Sequence, residues 1–456
     1  MSALPILLAP PADFLHPAFD IRGNVVSFGF LADQAKRGPR PVRVVNVRGS
    51  LGLLDGSGTV GGMTLEYQKE KGPLADLDRQ WGVERVRCLL ESDRTPDGPE
   101  LYAGLAAAWR RYVYFDHPGE YVIAGCWCVL SFVYLAFPVV PFLHVLGDKG
   151  SGKSQALDLL QELARDGQKA DMSPASIGDI TEARRATLLI DQVNSPDDLS
   201  SKMVSTLADS NRVGARRLVV LGGSDLGRAV REFATFGPKA FAGTEPLPDD
   251  LRDRAIVLRI NLAPKVLPTL VDDPELAQLR ADCYAWALWN GWAIRDLWDM
   301  LQHADEAPLI AEEWPDLSKY AGRPRDLWVP IECVMEALRV PEGDREAARE
   351  YYAQSQMVTT AEPPRDRFEL VQALWKLARQ REGDPFAVTR SEIEHELPCQ
   401  DGDFELRWNA QKIGKQMNAL VGVVKGKDRA PGRGDMVYRL GREALREWAK
   451  RYRLTE

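Results

Sequence analysis

The stretch HVLGDKGSGKSQALDLL, residues 144–160, decides how the rest of the chain is read. Apolar residues run into glycines, then into Lys153 and Ser154, and apolar positions then recur at a helical spacing. Gly147 to Ser154 matches G-x-x-x-x-G-K-[ST] in full. Gly147, Gly150 and Gly152 allow successive backbone N–H groups to turn inward and form a nest for phosphate oxygens. Lys153 can reach the outer phosphates, and the Ser154 hydroxyl can join a Mg²⁺ shell. The helix that follows, QALDLLQELARD, aims the positive end of its dipole at the same anion. A pattern this short also arises by chance, but here it follows a strand signal and opens a helix signal, as phosphate binding requires. The stretch predicts an ATP and Mg²⁺ site.

A second strand should bring a carboxylate to the metal. RRATLLIDQVN supplies one: Thr187 to Ile190 read as a buried strand and Asp191 stands at its end. The alternative is an ordinary strand with a capping Asp. Gln192 follows, where many ATPases have a Glu that deprotonates the attacking water. A neutral amide can orient water but cannot take its proton. Glu182, Asp197 and Asp198 are the substitutes in the neighbourhood. Binding therefore follows from these residues more firmly than rapid hydrolysis does.

The 456 residues exceed one ordinary core, so two or three domains are expected. A net charge of −8 argues against a chain coated in positive charge, though not against a local basic groove. The six cysteines show no paired zinc-type spacing and read as buried thiols of a reducing cytoplasm. The start MSALPILLAPPADF lacks the basic opening of a signal peptide. YVIAGCWCVLSFVYLAFPVVPFLHVLG, residues 121–147, is uncharged and long enough to cross a bilayer. Pro138 and Pro141 break it, however, so it reads as a buried helix to about Ala136 and a strand at 142–146. A cytoplasmic protein with no membrane partner is expected.

Residues 1–98 look β-rich, with AFDIRGNVVSFGF and RPVRVVNVRG alternating as strands. Residues 99–265 open with helices and then alternate strand and helix, an α/β layered core. Residues 266–358 are helical, and the tryptophans of CYAWALWNGWAIRDLWDML read as packing. TTAEPPRDR, residues 359–367, reads as a linker to a small domain at 366–456.

ATFGPKAFAGTEPLPDDLRDRAIVLRI, residues 234–260, taken with the two nucleotide motifs, resembles the AAA+ core of replication proteins from phages, plasmids and integrated mobile elements. These are related to superfamily 3 and MCM-type helicases, and the likeness spans roughly residues 100–350. It implies a P-loop core with a helical lid, and Thr244 as the polar sensor of the γ-phosphate. It implies Arg254 as an arginine reaching the neighbouring subunit's nucleotide, unless that residue only pairs with Asp249, Asp250 or Asp253. Arg325 in GRPRDLWVPI is the match for a second sensor acting in cis. GARRLVVLGGSDLGRAVREFATF reads as a hairpin. In the helicases it resembles, that hairpin grips single-stranded DNA, here through Arg216, Arg217, Arg228 and Arg231, unless these are only solvated surface charges.

RFELVQALWKLARQ, TRSEIEHEL and NAQKIGKQMNALVG read as three helices, and VVKGKDRAPGRGDMVYRL as a hairpin, the order of a winged helix. Residues 407–439 carry Lys412, Lys415, Lys425, Lys427, Arg429 and Arg433 among eight basic residues, against Asp428 and Asp435 alone. That local excess suits DNA phosphates, although winged helices also dock proteins. The combined reading is a hexameric ring ATPase acting as a helicase or translocase on single-stranded or forked DNA, with a primase or polymerase as partner. The alternative is an AAA+ assembly factor, a helicase loader or replication regulator that hydrolyses ATP slowly.

Overall fold

Strict alternation of apolar residues near the N-terminus divides two strand faces between two cores. In the computed structural model, the described residues are 14–34, 38–69, 81–91, 96–169, 173–194, 198–221, 229–302, 322–361, 365–397, 413–414, 416–417, 420, 424–429, 435–451 and 454. Strands β1 (Phe14–Leu15), β2 (Phe19–Arg22), β3 (Val25–Gln34), β4 (Gly38–Val47), β5 (Ser50–Leu54), β6 (Gly58–Val60) and β7 (Met63–Tyr67) form two sheets, β2-β3-β4-β5 and β1-β7-β6. Gly23, at φ 51°, makes the tight turn between β2 and β3. Val25, Val45 and Val47 face the second sheet, whereas Val26, Phe28, Phe30, Val42 and Val44 join the main core. A period of two puts alternate residues on opposite faces, so each strand serves both cores.

Three helices follow: α1 (Val83–Glu91), α2 (Gly98–Tyr112) and α3 (Pro118–Val133), the last running into a 3₁₀ turn at Tyr134–Ala136. Pro118 opens α3, the His117 ring accepts from the Gly119 N–H, and the Glu120 carboxylate accepts from the His117 N–H. Among the described residues, Pro118–Ala136 is the one helix long and apolar enough to span a bilayer, and 89% of it is buried inside the protein. It is a core helix. Its one buried acid, Glu120, accepts from the Arg259 N–H, and burial raises its pKa.

The central layer is β8 (Phe142–Gly147), α4 (Lys153–Leu163), β9 (Gly167–Lys169), α5 (Pro174–Arg184), β10 (Thr187–Ile190), α6 (Ser201–Ala208), the hairpin β11 (Arg216–Leu221) and β12 (Ala229–Ala234), β13 (Lys239–Gly243), α7 (Asp249–Arg252) and β14 (Ala255–Ile260). Five strands form one parallel sheet in the order β14-β8-β13-β10-β9. The strand that ends in the glycine loop lies inside it, flanked by β14 and β13, and the strand ending before Asp191 is one place further out. The near-continuous apolar runs of β8, β10 and β14 suit this arrangement, because both faces of a parallel sheet are covered.

Helices α8 (Pro274–Gln302) and α9 (Arg323–Ala337) and the first part of α10 (Glu342–Ala361), up to Ala353, complete the larger unit, Met1–Ala353. Trp286 of α8 is buried, and Tyr284 stacks on Trp81 and meets Phe28 edge-on. The tryptophan-rich helix is therefore packing, and it joins the N-terminal sheets to the central layer in one core. The described residues of the β-rich region expected at 1–98 lie in the same compact unit as the central layer.

The smaller unit, Gln354–Glu456, contains α11 (Arg365–Arg379), β15 (Phe386–Thr389), α12 (Arg390–Glu396), β16 (Val424–Arg429), β17 (Met436–Leu440) and α13 (Arg442–Arg451). β17 lies between β15 and β16, all antiparallel. The third expected helix is described only at Ile413–Gly414 and Gln416–Met417, which are helical; Ile413 and Met417 are buried with Leu374, Ile393 and Leu440. Sequence patterning missed β15 and α13. It also drew the linker too early, since residues 359–361 still belong to α10.

Candidate nucleotide-binding site

Parallel pairing places the carboxyl ends of all five strands along one edge, and the predicted glycine loop, Lys153, Ser154, Asp191, Gln192 and Thr244 stand there. Gly147 ends β8, and a Cβ on it would lie 2.2 Å from the Ile260 carbonyl, so only glycine lets the end of β14 run against the loop. Gly150 and Gly152 turn the loop at φ 85° and 100°. Lys153 then opens α4, with Ser154 exposed behind it. The Lys153 ammonium donates to the carbonyls of Gly147 (2.8 Å) and Asp148 (2.7 Å), so it lies across the loop. Burial lowers its pKa, and the Asp148 and Asp191 carboxylates oppose that shift.

Asp191 stands one residue past β10. Its Oδ1 accepts from the Gln192 N–H at 2.8 Å, and its Oδ2 lies 3.2 Å from the Lys169 ammonium. Gln192 takes a left-handed backbone at φ 62°, with its side chain exposed. Thr244 stands one residue past β13, where its Oγ1 donates to the carbonyl and side-chain oxygens of Asn194, each at 3.4 Å. The Asp191 loop is pressed onto that strand: a Cβ on Gly243 would lie 1.8 Å from the Val193 carbonyl. Sequence reasoning missed Asn194 and Lys169. Asn194 follows Asp191 closely in the chain but is part of no nucleotide motif, and only the folded sheet brings Lys169 to this edge.

A carboxylate and a hydroxyl are hard oxygen donors, so Asp191 and Ser154 fit Mg²⁺ in chemistry. Lys153 and the loop N–H groups fit phosphate oxygens. Of the substitute bases, Glu182 is excluded by position: its carboxylate accepts from the Ala234 N–H at the base of the β11–β12 hairpin. Asp198 stays close to the site and accepts from the Asn194 N–H at 2.7 Å. Asp197 lies outside the described residues.

Two predicted residues are not at this edge. Arg254 precedes Ala255, which pairs with Phe142 at the start of β8, while Ile260 pairs with Gly147 at its end. Six residues at about 3.3 Å each put Arg254 about 20 Å from this chain's own glycine loop. It donates to the Asp250 carbonyl and lies 3.8 Å from Asp209. Burial and then the neighbouring Arg323 lower its pKa.

Arg325, expected as a sensor in cis, stands away from the glycine loop. It lies in the first turn of α9, whose Arg323 donates to Asp253 at 3.3 Å and whose Asp326 accepts from Arg212 at 3.3 Å. That puts it at the amino edge with Arg254. The core residues of α9, from Trp328 to Met335, are buried and hold it there.

The hairpin has the expected form, with Arg216 facing Ala234 and Leu221 facing Ala229. Arg216 pairs with Glu232 at 2.8 Å, both exposed, and Arg217 is half-buried. Arg231 is placed on β12, and Lys425, Lys427 and Arg429 on β16, by backbone alone. Arg228, Lys412, Lys415 and Arg433 lie outside the described residues.

No family model matches the chain, and no curated protein matches it. Among solved structures, it is similar to the SCCmec type IV Cch active helicase, with 9% identity and a TM-score of 0.34 over 96% of this chain and 99% of that one. A second is the apo C-terminal region of NrS-1, with 11% identity and a TM-score of 0.34 over 84% and 82%. A third is the JCV helicase, with 15% identity and a TM-score of 0.24 over 65% and 71%. At these values none of the three establishes a family or an activity for this chain.

Proposed function

We propose that this chain is an AAA+ ATPase that assembles into a ring and works as a DNA helicase or translocase in the replication of a mobile element. The observation that carries the reading is the division of the site. Lys153, Ser154, Asp191 and Thr244 share one edge of the sheet, and Arg254 stands about 20 Å away at the other. An arginine there cannot complete its own chain's site, but a second copy packed head to tail would bring one to it. Where its rotation closes, such an interface generates a ring, here taken as a hexamer, with ATP and Mg²⁺ between subunits.

Arg323, whose charge acts on Arg254, shares the amino edge with it, and these arginines, with Arg325 in the same helical turn as Arg323, would face the next subunit's phosphates. The hairpin returns at the same edge to β13, the strand that ends before Thr244, so a short connection links the arginine-bearing β12 to the nucleotide edge. Arg216, Arg217, Arg228 and Arg231 would contact single-stranded DNA. The smaller unit would be a winged helix adding phosphate contacts through Lys412, Lys415, Lys425, Lys427, Arg429 and Arg433. A separate primase or polymerase would act with it. Strand displacement on forked DNA, dependent on Lys153, tests the reading; ATP turnover with no displacement on any fork overturns it.

Gln192 favours the second reading, an assembly factor that uses ATP to oligomerise on DNA and hydrolyses it slowly. Its side chain is an exposed amide beside Asp191 and cannot act as a base. Ring formation on DNA with ATP, without strand displacement, would support that role.

A further inference from the structure

We propose that Lys169 is a positioning residue that occupies the Asp191 carboxylate and hands it over when magnesium binds, with Asp158 retaining the lysine afterwards. The inference rests on the reading of Asp191 as a metal ligand, and adds a control on it that no motif contains. Lys169 is the last residue of β9, the edge strand, and lies in register with Leu189, two residues before Asp191. Its ammonium sits between two carboxylates, 2.7 Å from Asp158 Oδ1 and 3.2 Å from Asp191 Oδ2. Asp158 belongs to α4, the helix that begins at the phosphate-binding lysine. The bridge thus joins the first turns after the glycine loop to the strand that carries the metal ligand.

Both Asp191 oxygens are already engaged, Oδ1 by the Gln192 N–H and Oδ2 by Lys169. The backbone donor is neutral and fixed. Lys169 carries a full positive charge on a flexible stem, and the side chains of Lys169 and Asp191 are only 22% and 20% exposed. A divalent cation approaching Asp191 therefore meets a competitor of its own sign. Moving the ammonium fully onto Asp158, which it already touches, removes that repulsion without leaving the lysine unpaired. Partners of this kind commonly change metal affinity by about 10–100-fold. Partial solvent exposure screens the charges and puts the effect here at about three- to tenfold.

The two carboxylates give opposite predictions. The measurement is the affinity of the full-length chain for a non-hydrolysable ATP analogue as Mg²⁺ is varied, read by calorimetry, with folding checked by thermal unfolding. Lys169→Met should lower the Mg²⁺ concentration at half-effect by about three- to tenfold. Asp158→Asn should raise it, because the lysine then has Asp191 as its remaining carboxylate. Lys169→Arg keeps the charge and should stay near wild type.

A simple structural tie between β9 and α4 would move Lys169→Met and Asp158→Asn in the same direction or not at all, and either result overturns the proposal. Where Lys169→Met does not fold, Lys169→Gln is the second arm, with the same expectation. Asp191→Asn separates the two ideas. If it leaves the Mg²⁺ dependence of nucleotide binding intact, the metal-ligand reading itself fails. If it removes that dependence while both other variants are silent, only the role of Lys169 fails.

Discussion

Arg254→Ala is the substitution that tests the proposed ring most directly. The start of β14 lies about 16 Å from the end of β8 that carries the glycine loop, and an arginine side chain spans less than half that distance. Loss of Arg254 should therefore leave nucleotide affinity near wild type, because no contact of that chain with its own nucleotide is removed. Turnover should fall by about 10³–10⁵-fold if the arginine acts on the neighbour's transition state. The Lys153→Ala variant should fail for the complementary reason, having a competent arginine edge and a defective loop. In an equimolar mixture, a site works when an Arg254→Ala subunit supplies the loop and a Lys153→Ala subunit supplies the arginine. Random head-to-tail assembly makes that about one interface in four, so two inactive proteins should together recover about a quarter of wild-type turnover. The assay is ATP hydrolysis across mixing ratios after confirming ring assembly. A monomer that hydrolyses ATP at the full rate and loses it on Arg254→Ala would refute the reasoning.

Lys153→Ala alone should abolish turnover, measured by phosphate release, with little change in thermal unfolding, since its ammonium bonds only loop carbonyls. Gln192→Glu should accelerate hydrolysis at least several-fold, because general-base assistance is worth about 10²–10⁴-fold; a slow wild type that this change does not rescue favours the assembly-factor reading. Lys239 is fully buried, bonds the Thr235 and Gly237 carbonyls, and has its pKa lowered to about 7 by burial. Above that pH the unfolded chain holds a proton that the folded one does not, so stability should rise with pH from about 7 towards the ordinary lysine value. The slope is at most about 1.4 kcal/mol per pH unit, and Lys239→Met should remove it in thermal unfolding measured across that window. Removing residues 365–456 should weaken DNA binding and flatten its salt dependence while ATP binding survives; unchanged affinity for single-stranded and duplex DNA would make that unit a protein-docking module.

The local features of this chain could be read directly, because near neighbours in sequence dictate them. The glycine loop and its helix, the Thr187–Ile190 strand before Asp191, the turn at Gly23 and the burial of the Pro118–Ala136 helix all depend on short-range periodicity and on the backbone freedom of particular glycines. What remained open was the end of the sheet at which each residue stands. That depends on strand order and register, which bring together residues far apart in the chain. Register put Thr244 beside Asn194, carried Glu182 away from Asp191, and set Arg325 at the edge occupied by Arg254. It also brought Lys169, from a three-residue strand with no pattern of its own, onto Asp191. The aromatic faces of Phe28 and Tyr284 merged the N-terminal sheets with the central core, where composition alone had implied a boundary. The sequence determined which chemical groups are present; long-range pairing in the tertiary structure decided which of them one chain can use together and which it must offer to a neighbour.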